Sequence, residues 1–202
     1  MQAIIRYSPV MLVLIVLSAC KPNYVEPDEL TAYVLDEGNG VHKAVVINGV
    51  KVEVTYRPTD LWVSQEIGDT APDPLEVGEL RKKYDPYLYF VVSLSYDGRE
   101  ALHQVNRGVY GDLVQTMSFR MREYVTMTTN AQDTIPVGDF MLNRTYGMST
   151  TTDLLFVFSR EKVKDREWVQ FNLNEFGLGV GNQRFRFRME DLEGTPRIYK
   201  VG

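Results

Sequence analysis

From residue 41 onward, apolar and polar side chains mostly recur with a period of two, the spacing of a β-strand. The clearest unit is residues 43–56. Val45 and Ile47 lead into Asn48-Gly49, and Val50, Val52, Val54 and Tyr56 then alternate with Lys51, Glu53 and Thr55. Asn-Gly between two such runs predicts a hairpin with a two-residue turn, pairing Ile47 with Val50 and Val45 with Val52. Residues 87–96 and 153–159 are apolar on both faces, as expected of central strands. Residues 139–146, 168–174 and 184–189 add three more strands, and 61–67 a short one. Met117, Phe119, Met121, Val125 and Met127 alternate with polar positions and predict a further strand, interrupted at Glu123. Residues 102–114 fit a loop or a short helix. Residues 68–86 hold three prolines and read mainly as loop, with one helical turn at 79–83. About nine strands with turn signals between them predict an all-β fold, an antiparallel β-sandwich with few short helices. A lipocalin-like β-barrel is the alternative. The chain carries 25 valines and 7 alanines, which favours strands over helices.

The first 40 residues follow a different pattern. Val10 to Leu17 is an unbroken run of eight apolar residues. A bilayer-spanning helix needs about 20, whereas eight suits the apolar core of a signal peptide. Arg6 precedes the run, and Leu17-Ser18-Ala19-Cys20 ends it. This combination resembles the signal and lipobox of bacterial lipoproteins. The resemblance implies cleavage before Cys20 and acylation of its thiol and new amino group with fatty chains such as palmitate. Lys21 in place of aspartate implies sorting to the outer membrane. Residues 21–29, basic once and then acidic, are similar to the charged export tags of Bacteroidetes surface lipoproteins. Asp69-Thr70-Ala71 and Asp133-Thr134-Ile135 resemble the O-glycosylation sites of that lineage and are expected in loops. The chain thus divides into a signal peptide (1–19), a lipidated cysteine with a flexible tether (20–40) and a single folded domain (41–202). A flexible 20-residue tether spans roughly 25 Å r.m.s..

Cys20 is the single cysteine, so the folded domain has no disulfide or thiol chemistry. Removing residues 1–19 removes Arg6 from the 22 basic residues and none of the 27 acidic ones, giving 21 − 27 = −6. An acidic balance gives no general attraction for nucleic acid.

Arg184, Arg186 and Arg188 alternate with Phe185, Phe187 and Met189 and line one face of a strand. They form a candidate stripe for an anion or an acidic partner, or a plain solvated sheet edge protected by charge. Gly177, Gly179 and Gly181 lack phosphate-loop spacing and read as a mobile connection between strands. Tyr84, Tyr87, Tyr89, Phe90 and Tyr96 fit either a sugar-stacking surface or half-buried core. His42 and His103 sit in no motif, and residues 36–40 read as a turn rather than a calcium loop. No motif implies a cofactor, a metal or a catalytic residue. The expected function is a non-catalytic binding or assembly subunit of a cell-envelope complex, held to the outer membrane by its lipid and contacting a protein partner. An adhesin or pilus-type component is one alternative. An envelope glycan or cell-wall hydrolase, assembled from distant loops, is another.

Overall fold

The computed structural model describes residues 24–68 and 71–199. The lipobox and Cys20 lie outside the described residues, as do Asp69 and Thr70. The described chain begins with helix α1 (Pro27–Leu35), strands β1 (His42–Ile47) and β2 (Val50–Arg57), helices α2 (Thr59–Ile67) and α3 (Pro74–Tyr84), and strand β3 (Tyr87–Tyr96). The short strand β4 (Arg99–Glu100) leads into α4 (Ala101–Gln104) and α5 (Arg107–Phe119). The second half is mostly strand: β5 (Val125–Thr129), β6 (Thr134–Pro136), β7 (Asp139–Asn143), β8 (Thr152–Ser159), β9 (Trp168–Leu173) and β10 (Gln183–Arg188), followed by α6 (Met189–Glu193).

The ten strands form two antiparallel sheets. One has the order β1-β2-β3-β8-β7 with β4 attached to β3, and the other has the order β10-β9-β5-β6. Side chains alternate across a strand, so each sheet turns one apolar row inward. Leu88, Phe90, Val92 and Leu94 of β3 and Leu154, Phe156 and Phe158 of β8 are buried. They meet Phe171 of β9 and Phe187 of β10, with ring centroids 5.8 Å (Phe90–Phe171), 5.1 Å (Phe90–Phe187) and 5.5 Å (Phe156–Phe171) apart. The fold is an antiparallel β-sandwich. Both sheets are open among the described residues, so the barrel alternative falls, because a barrel needs one sheet hydrogen-bonded to itself around a ring.

The hairpin pairs as its turn dictates, with Ile47 opposite Val50 and Val45 opposite Val52. Asn48 and Gly49 both take positive φ, 52° and 82°, as a tight hairpin turn requires.

Four stretches depart from the expectations. Residues 61–67 belong to α2, which starts after Pro58 and buries Val63 and Ile67, four residues apart on one helix face. The expected loop at 68–86 contains the three-turn helix α3. Pro74 occupies its first turn, and the Asp73 side chain accepts from the Leu75 N–H at 2.9 Å. Residues 117–121 are not strand either. Helix α5 buries Leu113 and Met117 and leaves Phe119 77% exposed, opposite to what alternation predicts. Pairing begins only at Val125. Last, the tether expected through residue 40 is folded from Tyr24 on. Glu26 and Glu29 form a capping box, Pro27 opens α1, and Leu30 and Val34 sit in the main core at 0% and 4% exposure. Val25 N–H donates to the Arg197 carbonyl at 2.9 Å, and Tyr24 bridges to Arg197 in parallel, joining the two ends of the described chain.

Candidate functional site

Three strand ends of the larger sheet converge at one end of the sandwich: β2 at Tyr56, β3 just after Asp85-Pro86, and β8 just before Arg160. The start of α2, Arg81 of α3 and the segment from Leu192 to Arg197 close around them. The result is a cleft of about 330 Å³. A second groove of about 660 Å³ adjoins it, and Arg160 and Glu193 line both.

Arg160 is fixed from three sides. Its backbone N–H donates to the Pro86 carbonyl at 2.9 Å, Nε donates to the Asp85 carbonyl at 2.8 Å, and Nη2 donates to the Tyr56 hydroxyl at 3.0 Å. All three acceptors are uncharged. No carboxylate lies within 4.0 Å of this half-buried guanidinium among the described residues, and Nη1 has no hydrogen-bond partner there. The Tyr56 hydroxyl shares the same field. Its burial pushes its pKa up, Arg160 pulls it down, and Asp85 and Glu193 push it up further.

One wall is built by a buried ion pair. Arg81 donates to both Asp60 oxygens, Nε to Oδ1 at 2.8 Å and Nη2 to Oδ2 at 2.6 Å, and Nη2 also reaches the Tyr199 carbonyl at 2.7 Å. The Ile198 N–H donates to Asp60 Oδ2 at 2.7 Å, so α2, α3 and the C-terminal segment meet on one carboxylate. This pair neutralises itself. The remaining charges of the lining are Arg160, Arg197, Asp85 and Glu193, with no ion pair among them. Arg197, Asp85 and Glu193 are exposed at the mouth.

The arginine stripe lies elsewhere. Arg184, Arg186 and Arg188 are exposed on β10, an edge strand of the smaller sheet, and none lines the cleft. Arg188 is bound at 2.7 Å by both Glu190 and Asp191. Arg186 lies 3.9 Å over the Trp168 ring and donates to Gln170 at 3.3 Å. Arg184 has no ion pair among the described residues. The stripe is therefore three separate environments.

The glycine loop wraps a carboxylate of its own chain. Gly177 and Gly179 donate their N–H groups to Glu175 Oε1 at 2.7 and 2.8 Å, and Gly181 donates to Oε2. The three glycines have φ of 106°, 79° and 63°, which aims successive N–H groups inward. Burial raises the pKa of this carboxylate, but the N–H groups of Gly179, Gly181, Gly177 and Leu178 outweigh burial and hold it below the usual range. Asn48 of the first hairpin donates to the Gly179 carbonyl at 2.9 Å and ties the loop to the larger sheet.

Each histidine has a glutamate partner. His42 bonds Thr55 at 2.8 Å and lies 3.5 Å from Glu53, and His103 lies 3.1 Å from the buried Glu100. Among the tyrosines, Tyr84 and Tyr89 pack against Trp62 and Tyr87 against Tyr89, while Phe90 faces the core and Tyr96 lies against Gly49. Asp36 caps a tight turn, accepting from Gly38 N–H at 2.8 Å. Thr134 is exposed but begins strand β6 rather than lying in a loop. Among the described residues, no group of three or more His, Cys, Asp or Glu could hold a metal ion.

Sequence reasoning missed the Arg160 cleft. Its residues are spread from Tyr56 to Arg197, and no local spacing links them. No protein-family model matches the chain, and no curated protein matches it. A solved structure described as a novel protein of unknown function from Burkholderia pseudomallei is similar at 10% identity, covering 85% of this chain and 93% of its own, with a TM-score of 0.42.

Proposed function

We propose that the chain is an outer-membrane lipoprotein acylated at Cys20, whose β-sandwich is a non-catalytic binding or assembly subunit of a cell-envelope complex. The Arg160 cleft is its ligand site. The observation that carries the binding role is the state of Arg160, a half-buried cation held by a carbonyl and a phenol with no carboxylate beside it among the described residues. Desolvating a charge without a counter-charge is costly, and an anionic group entering the cleft relieves that cost.

The folded position of Tyr24 supports a close attachment to the membrane. Tyr24 is four steps along the chain from Cys20. At about 3.6 Å per residue that link reaches at most about 14 Å, against roughly 25 Å r.m.s. for a flexible 20-residue tether. Two or more acyl chains on Cys20 give stable anchoring where one does not. The test has two arms. Membrane fractionation of a Cys20→Ser variant is expected to show the protein released, and full retention rejects the anchor. Co-purification from solubilised envelopes, scored for bound lipid as well as protein, is expected to recover less of at least one component with Arg160→Gln, and an unchanged set of both rejects the cleft as the binding site.

A further inference from the structure

The cleft has a charge pattern as well as a cation. Its lining holds three cationic and three acidic side chains. The Asp60–Arg81 pair removes one of each by bidentate bonding within the wall. What remains is two cations, Arg160 and Arg197, and two anions, Asp85 and Glu193, all without an ion pair among the described residues. A simple anion satisfies the arginines and is repelled by the carboxylates, and a simple cation meets the reverse. A zwitterion with its two charges a few ångströms apart satisfies both sets, since guanidinium suits phosphate and carboxylate suits ammonium.

The position of the cleft narrows the source. Arg197 lines it and is bonded through its carbonyl to Val25, five residues beyond Cys20. With the link limited to about 14 Å, the mouth lies within reach of the polar layer of the bilayer, which adds about 5–7 Å on each side of the hydrocarbon. The mature chain is acidic overall, so no general attraction draws it to an anionic surface. Recognition there has to be made by specific groups.

We propose that the Arg160 cleft binds a phosphate ester carrying an ammonium group, the phosphoethanolamine head group of a membrane lipid, with phosphate on Arg160 and Arg197 and ammonium on Glu193 and Asp85. This rests on the cleft being the ligand site of a lipid-anchored domain.

The test uses the mature chain extracted in a phospholipid-free detergent and titrated with glycerophosphoethanolamine, glycerol 3-phosphate and ethanolamine, followed by NMR. Glycerophosphoethanolamine is expected to bind more tightly than either half, and Arg197→Gln and Glu193→Gln are each expected to weaken it about tenfold. Both side chains are exposed, so thermal melts of the two variants should match wild type and rule out misfolding. Equal affinity for glycerol 3-phosphate, unchanged binding in both variants, or no binding overturns the proposal. To separate the sources, the same chain is reconstituted in phosphatidylcholine bilayers with and without phosphatidylethanolamine. Shifts at Arg160 and Tyr56 only with phosphatidylethanolamine place the ligand in the membrane. Binding of the soluble ester with no bilayer response overturns the lipid source. Acyl labelling of Cys20 is scored separately, so a failed anchor is not mistaken for a failed cleft.

Discussion

At the scale of single residues, Glu175 shows how a glycine-rich loop can bind an anion without binding a ligand. The ring of N–H groups is filled by a carboxylate of the same chain. Glu175→Gln keeps the shape but removes the charge and replaces one acceptor oxygen by an amide donor facing a glycine N–H, and it should cost about 1–2 kcal/mol in urea unfolding. The pH dependence has a definite sign. The folded pKa lies below the unfolded one, so the contribution is complete above the unfolded value and is lost as pH falls through the folded one. Wild type should therefore lose more stability than Glu175→Gln on acidification below about pH 4.5. Tyr89 acts at the other end of the scale. Burial against Trp62, with Tyr84 and Tyr87 adding to it, pushes its phenol up to about 12. The raised value favours the folded protein below the unfolded pKa near 10, and that share is lost as pH rises towards 12. Ultraviolet titration should show one fewer late-ionising tyrosine in Tyr89→Phe than in wild type.

At the scale of elements, the strands were legible and three helices were not, for one recurring reason. Pro27, Pro58 and Pro74 are helix breakers in mid-helix but serve well at a helix start, where the missing N–H bonds nothing anyway. Each stands at the start of a helix that was expected to be tether, strand or loop. The signals that could have found them were local: Glu26 and Glu29 three apart around Pro27, and Asp73 before Pro74. Alternation at residues 117–121 misled because Leu113 and Met117 also satisfy the helical spacing. The cleft was illegible for a different reason. Asp60 and Arg81 are 21 residues apart, and Ile198 is a further 117 along the chain, so only the folded chain brings them to one point. Their pair can be tested directly. Asp60→Ala leaves Arg81 buried without its counter-charge and should cost about 3–5 kcal/mol by denaturant unfolding. Leu30→Ala should cost about 2–5 kcal/mol, because Leu30 is fully buried. A flexible tether at that position would show no change.

At the scale of the whole molecule, the sandwich was expected from its strands, and the structure adds where the chain enters it. Tyr24 and Arg197 lie side by side, so the chain enters the domain close to where it leaves. This has a mechanical consequence. A pull on the chain ahead of Tyr24 first loads the Tyr24–Arg197 bridge and its Val25–Arg197 hydrogen bond, a contact far smaller than the strand pairings of the sheets. It then strips α1 with Leu30 and Val34 from the core. The sheets, locked by rows of lateral bonds, yield later. A single-molecule stretching trace should show a weak early event releasing roughly 60 Å, about 17 residues, before the main rupture. Leu30→Ala should lower the force of the early event and leave the main one unchanged.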